Sequence, residues 1–173
     1  KGVHWMISVF GVVFSFGKAG YTVYEETWVN EEHPEYVGFT ITNVPRSEAL
    51  KGMNYIMKKA RPDLLDNFIQ YSKTGNVHDY FKDYFGKTAK GGRYDWVKNP
   101  CARLVVESLD EMNLNIAGFW GSPWRADYPY LKLNKDQESE YLISHIFIEY
   151  NGWTRNGSTI DYNDALWFSW KVN

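Results

Sequence analysis

The segment Gly17-Lys18-Ala19-Gly20 constrains the chain more than any other. It separates two runs dense in β-branched and aromatic side chains, Trp5–Phe16 and Tyr21–Val29. Such runs joined by a short, Gly-bounded turn predict a hairpin, and a hairpin needs further strands or helices to cover its apolar face. The first run is too short to cross a bilayer, which takes about 20 residues. It reads as a strand rather than as the apolar part of a signal segment. A charged link, Asn30–Pro34, leads to a short strand over Tyr36–Ile41, and the acidic run Glu25–Glu35 reads as a solvated surface.

The hydrophobic period then changes. With Ser47 as N-cap, Ala49, Leu50, Met53, Ile56, Met57 and Ala60 recur at helical spacing. Pro62 suits the first position of a second helix carrying Leu64, Leu65, Phe68 and Ile69, with Gly75 as its stop. A polar, Gly-punctuated loop, Gly86–Asn99, ends at a third helix start. There Asn99 caps, Pro100 enters the first turn, and Leu104, Val105, Leu109 and Met112 form an apolar stripe. An aromatic segment, Phe119–Trp124, a strand over Tyr141–Tyr150 and a last strand over Ala165–Val172 follow. With no internal repeat and no dividing linker, residues 1–173 read as one α+β domain, an antiparallel sheet packed against helices.

Composition removes several function classes. Nineteen Lys and Arg against 21 Asp and Glu leave a net charge of −2, so no basic surface invites nucleic acid or an anionic membrane. One cysteine excludes an intrachain disulfide and a cysteine-rich zinc site. His4, His33 and His78 lie in separate zones without ligand spacing, so neither metal nor cofactor is expected. Gly86-Lys87-Thr88 resembles the end of a phosphate-binding loop, but Phe81 stands where that loop needs glycine. Asn156-Gly157-Ser158 is a formal glycosylation sequon that reads more simply as a turn. The 18 % aromatic content suits a β-rich core or a glycan-contacting surface.

The candidate chemistry begins at Cys101. A cysteine at a helix start meets unpaired N–H donors and the positive end of the helix dipole, which favour a thiolate. A thiolate attacks carbonyl carbons, and the free N–H at that position can face the resulting oxyanion. His145, in Tyr-Leu-Ile-Ser-His-Ile-Phe-Ile-Glu-Tyr, is almost surrounded by apolar residues. A helix-start cysteine followed by a mid-strand histidine is what a cysteine–histidine dyad requires. Glu149 lies about 13 Å along the strand, too far to orient the imidazole. The returning segment offers Asp161, Asn163 and Asp164. A hairpin centred near Thr154 sets Asn163 opposite His145 and Asp161 diagonal on the same face, while other turn centres give other registers. Asp161 is favoured, with Asn163 and Asp164 as alternatives. The plainer alternative makes Cys101 a small buried hydrophobe in a non-catalytic, aromatic-rich module that binds glycan or protein.

The segment Asn-Pro-Cys101-Ala-Arg-Leu-Val-Val-Glu-Ser-Leu109 resembles the papain-like amidases of peptidoglycan. It is most similar to amidase effector family four of the bacterial type VI secretion system. Gly91-Gly92, Asn99, Cys101, Ala102, Arg103, Leu109 and Ile116 correspond to the family pattern, as does His145 with Tyr150-Asn151-Gly152. The acidic partner is most like Asp161, and the closing Trp-rich strand is similar to Leu166–Trp170. The likeness covers roughly residues 86–172, the expected catalytic core, and leaves 1–43 as an N-terminal hairpin extension. It implies a papain-like (NlpC-type) cysteine amidase architecture in which Cys101 is the nucleophile, His145 the general base and then acid, and Asp161 the holder of the His tautomer. Asn99, Tyr94, Trp96, Trp120 and Trp124 would line the substrate cleft. The implied substrate is the peptide stem of bacterial peptidoglycan, and the implied role is that of an antibacterial effector toxin. The same resemblance implies delivery to the periplasm of target bacteria and a cognate immunity protein as partner.

Overall fold

Val9 and Val12 are joined by two residues in the left-handed region, Phe10 at φ 55° and Gly11 at φ 76°. Positive φ at both central positions is the two-residue hairpin turn whose twist matches antiparallel strands. The run Trp5–Phe16 is therefore two strands rather than one, β1 (Met6–Val9) and β2 (Val12–Gly17), paired from Met6↔Ser15 to Val9↔Val12. The expected turn before Gly20 closes a second hairpin between β2 and β3 (Gly20–Glu25). The structure, a computed structural model, describes residues 4–33, 38–90, 92–95, 101–114, 145–148 and 158–161, with the backbone alone at 38–40, 42, 102, 145–148 and 158–161.

The chain leaves β3 earlier than expected. Glu26–Glu32 form a helix, α1, which buries Val29 and leaves Trp28 exposed, so Val29 is not a strand residue. Nor is the acidic run wholly solvated. Glu26 is 7 % exposed and accepts a hydrogen bond from the Ser8 hydroxyl, while its own N–H donates to the Gly11 carbonyl. A carboxylate is tolerated there because the Ser8 hydroxyl of β1 reaches it.

β4 (Gly38–Thr42), β5 (Thr88–Ala89), β6 (His145–Ile148) and β7 (Ser158–Asp161) complete a sheet ordered β5-β3-β2-β1-β6-β4-β7. The α+β class holds, and β5, β3, β2 and β1 run antiparallel. The far half departs from the all-antiparallel expectation, since β1, β6, β4 and β7 pair in parallel. Tight turns force antiparallel pairing, whereas helices separate β1 from β4 and β4 from β6, and a long crossover lets a strand return in parallel.

α2 (Arg46–Ala60) starts one residue before Ser47, which lies in its first turn rather than at its cap. It buries Ala49, Met53, Ile56, Met57 and Ala60, most of the expected stripe. After a 3-10 turn at Pro62–Leu64 come α3 (Leu65–Ser72) and a short α4 (Val77–Tyr80). The Arg46 guanidinium donates to the Ser72 and Gly75 carbonyls at 2.9 and 3.0 Å and lies 5.4 Å over the Phe10 ring. One side chain thus ties α2, the end of α3 and the first hairpin together. α5 (Cys101–Glu111) packs on α2 and against β1 and β2. Asn113, at φ 61°, closes α5, with the Leu114 N–H donating to the Leu109 carbonyl at 2.8 Å.

The pleat sorts the strand residues into two layers. Trp5, Ile7, Val9, Val12, Phe14 and Phe16 share the main core with residues of α2 and α5, including Leu104, Val105 and Leu109, and with Met112 just after α5. Met6 and Val13 form a smaller cluster with Val29 of α1. Among the described residues no helix is long and apolar enough to cross a membrane.

Candidate active site

Cys101 opens the described part of α5, while the expected cap Asn99 and first-turn Pro100 lie outside the described residues. Its side chain belongs to the main core and is 2 % exposed. The Trp5 backbone N–H points at Sγ from 3.4 Å, and the Tyr94 hydroxyl is hydrogen-bonded to the same sulfur. Both donors and the helix start favour negative charge on the sulfur, and burial opposes it. Burial, with Cys101 beside it, pushes the Tyr94 phenol up to about 12. The Tyr94 ring also tilts against Phe16, with centroids 5.4 Å apart. Tyr94 therefore touches the sulfur rather than merely walling a cleft, and Trp5 contributes through its backbone. No spacing signal could have found a main-chain donor from a residue so distant in sequence.

His145 is the first residue of β6, within the strand expected there. Its Cα pairs with Met6 on one side and Gly38 on the other. The structure thus brings the backbone of His145 beside the Trp5-Met6 segment that meets the Cys101 sulfur. Residues in register share a face of the sheet. Met6 belongs to the α1 layer, whereas Cys101 packs with Trp5 and Ile7 in the layer of α2 and α5. Adjacent strands are achieved, but the parity of position 145 is that of the layer opposite Cys101.

Asp161 is not brought to His145 as expected. It ends β7 in register with Thr42, while His145 is level with Gly38, and β4 lies between the two strands. Four steps along β4 and two strand spacings put their backbones about 16 Å apart. The hairpin centred near Thr154 is replaced by two strands, each parallel to β4, because β4 has two edges and each takes one of them. Asn163, Asp164, Glu149, Asn99, Trp96, Trp120 and Trp124 lie outside the described residues, as do Phe119–Trp124 and the closing strand Ala165–Val172.

Two further histidine settings are defined. His4 Nε2 lies 2.6 Å from Ser15 Oγ, and burial lowers its pKa, which keeps the imidazole neutral. These residues line a cavity of about 180 Å³ under α1 with Met6, Tyr24, Trp28 and His33. His78 Nε2 lies 3.6 Å from Glu25 Oε1. Gly86 donates its N–H to the Val23 carbonyl and Thr88 joins β5, so this segment is a sheet edge rather than a phosphate loop. No family model, curated protein or solved structure matches the chain.

Proposed function

We propose that the protein is a cysteine amidase of papain-like architecture that hydrolyses amide bonds in the peptide stems of peptidoglycan. In this reading it is an antibacterial effector toxin, delivered to the periplasm of target bacteria and matched by a cognate immunity protein. One juxtaposition carries the reading: the Trp5 N–H meets the Cys101 sulfur at 3.4 Å, and the next residue, Met6, is paired with His145.

The reaction follows from the two groups. The Cys101 thiolate forms a C–S bond to the carbonyl carbon, and the α5 first-turn N–H groups receive the charge that develops on oxygen. The His145 imidazolium protonates the amide nitrogen, which leaves as the amine when the C–N bond breaks. Water, deprotonated by His145, then cleaves the thioester to a carboxylic acid and restores the thiol. Tyr94 holds the sulfur through its hydroxyl. With Asp161 level with Thr42, the machinery is a dyad of Cys101 and His145.

Purified peptidoglycan incubated with wild type should release new amino groups, and Cys101→Ala and His145→Ala should each lower that rate by about a thousandfold or more. Circular dichroism establishes that each variant folds. Release by Cys101→Ala at the wild-type rate would overturn the amidase. The parity of position 145 and the 2 % exposure of Cys101 favour a second reading, the non-catalytic binding module. That module would retain wild type and Cys101→Ala equally on purified peptidoglycan and release nothing.

A further inference from the structure

A cavity of about 330 Å³ opens beside α5, walled by α2, by Phe16 of β2 and Tyr21 of β3 and by residues 92–93. Its polar lining is Tyr21, Tyr55, Lys59, Arg93, Arg103 and Glu107. Among the described residues three cations thus face one carboxylate, in a chain whose net charge is −2. Arg103 Nε donates to Glu107 Oε1 at 2.6 Å, and Lys59 lies 5.7 Å over the Tyr55 ring. Burial, then Asp110 and Glu111, raises the Glu107 carboxyl above the usual range. The Cys101 sulfur is not part of the lining.

We propose that this cavity binds a ligand through a carboxylate, the C-terminal end of a short peptide, with Lys59, Arg93 and Arg103 as the cationic side and Tyr21 and Tyr55 as walls for its body. The volume sits at the small end of ligand sites, about 300–1,000 Å³, which admits one or two residues rather than a long chain. Arginine and lysine form strong charge-assisted hydrogen bonds to a carboxylate, and aromatic walls take up its apolar stem. A dianion such as phosphate is less suited, because Glu107 in the same lining repels the second charge. The inference goes beyond hydrolysis at Cys101, and its readout is binding rather than turnover, so it fails or holds separately from the cleavage assay.

The test titrates the full chain with N-acetyl-alanyl-alanine, with its C-terminal amide, and with inorganic phosphate, following Kd by chemical-shift perturbation. The acid should bind at least about tenfold more tightly than the amide and more tightly than phosphate, and its affinity should fall as salt rises. Lys59→Gln and Arg93→Gln, both at exposed positions, should each weaken the acid severalfold with the melting temperature unchanged. Equal affinity for acid and amide, or unchanged affinity in both variants, would overturn the site. Tighter binding of phosphate would overturn the carboxylate assignment.

Discussion

The Tyr94 phenol reports on the Cys101 sulfur because the two are hydrogen-bonded. Its folded pKa, about 12, lies above the ordinary 10.0. The stability it contributes is therefore complete below pH 10 and is lost as pH rises through about 12. Tyr21 and Tyr80 shift in the same direction, so the informative quantity is the difference made by one substitution. Tyr94→Phe should flatten the alkaline loss of stability in denaturant titrations, and an unchanged loss would detach the phenol from the sulfur. His4 titrates in the opposite sense. Burial lowers its pKa, so its contribution is present above 6.5 and is lost as pH falls through the folded value. His4→Gln should remove part of the destabilisation seen on mild acidification. At this scale the position of Cys101 was legible, because a helical stripe begins just after it. The partners of its sulfur were not, since both come from other elements. Glu26 was misread for the same reason: its neighbours are acidic, and the hydroxyl that satisfies it belongs to β1.

Among the elements, α2, α3, α5 and the Gly17–Gly20 turn were legible from period and turn chemistry. The turn at Phe10-Gly11 was hidden, because the first position lacks the Asn or Asp that usually announces positive φ. Gly11→Ala should cost about 1 kcal/mol in thermal or chemical unfolding, because φ 76° strains any Cβ. A second glycine has a packing role. A Cβ on Gly52 of α2 would overlap Cε of Met112, a side chain with no exposure in which to retreat. Alanine is worth about 1 kcal/mol over glycine in a helix, and overpacking costs about 1–3 kcal/mol. Gly52→Ala should therefore destabilise on balance. Combined with Met112→Ala, it should cost less than the sum of the two single changes, and strict additivity would mean that the two residues do not meet there. α1 escaped notice because Thr27, Trp28 and Val29 are strand-like by composition, while the helix is defined by which of them is buried.

For the whole molecule, the class α+β followed from separate strand and helix runs, but the sheet order did not. Local turns dictate β1, β2 and β3, whereas β4, β6 and β7 find their edges across long connections that leave no local signature. That topology sets the central question, since it places His145 beside the strand that meets Cys101 yet in register with a residue of the other layer. Iodoacetamide alkylation of Cys101 at neutral pH, compared between wild type and His145→Ala, measures the coupling most directly. A sulfur activated by that imidazole reacts about tenfold or more faster in wild type than in the variant. Equal rates in the two proteins would contradict the dyad and leave Cys101 as a packed residue of the core.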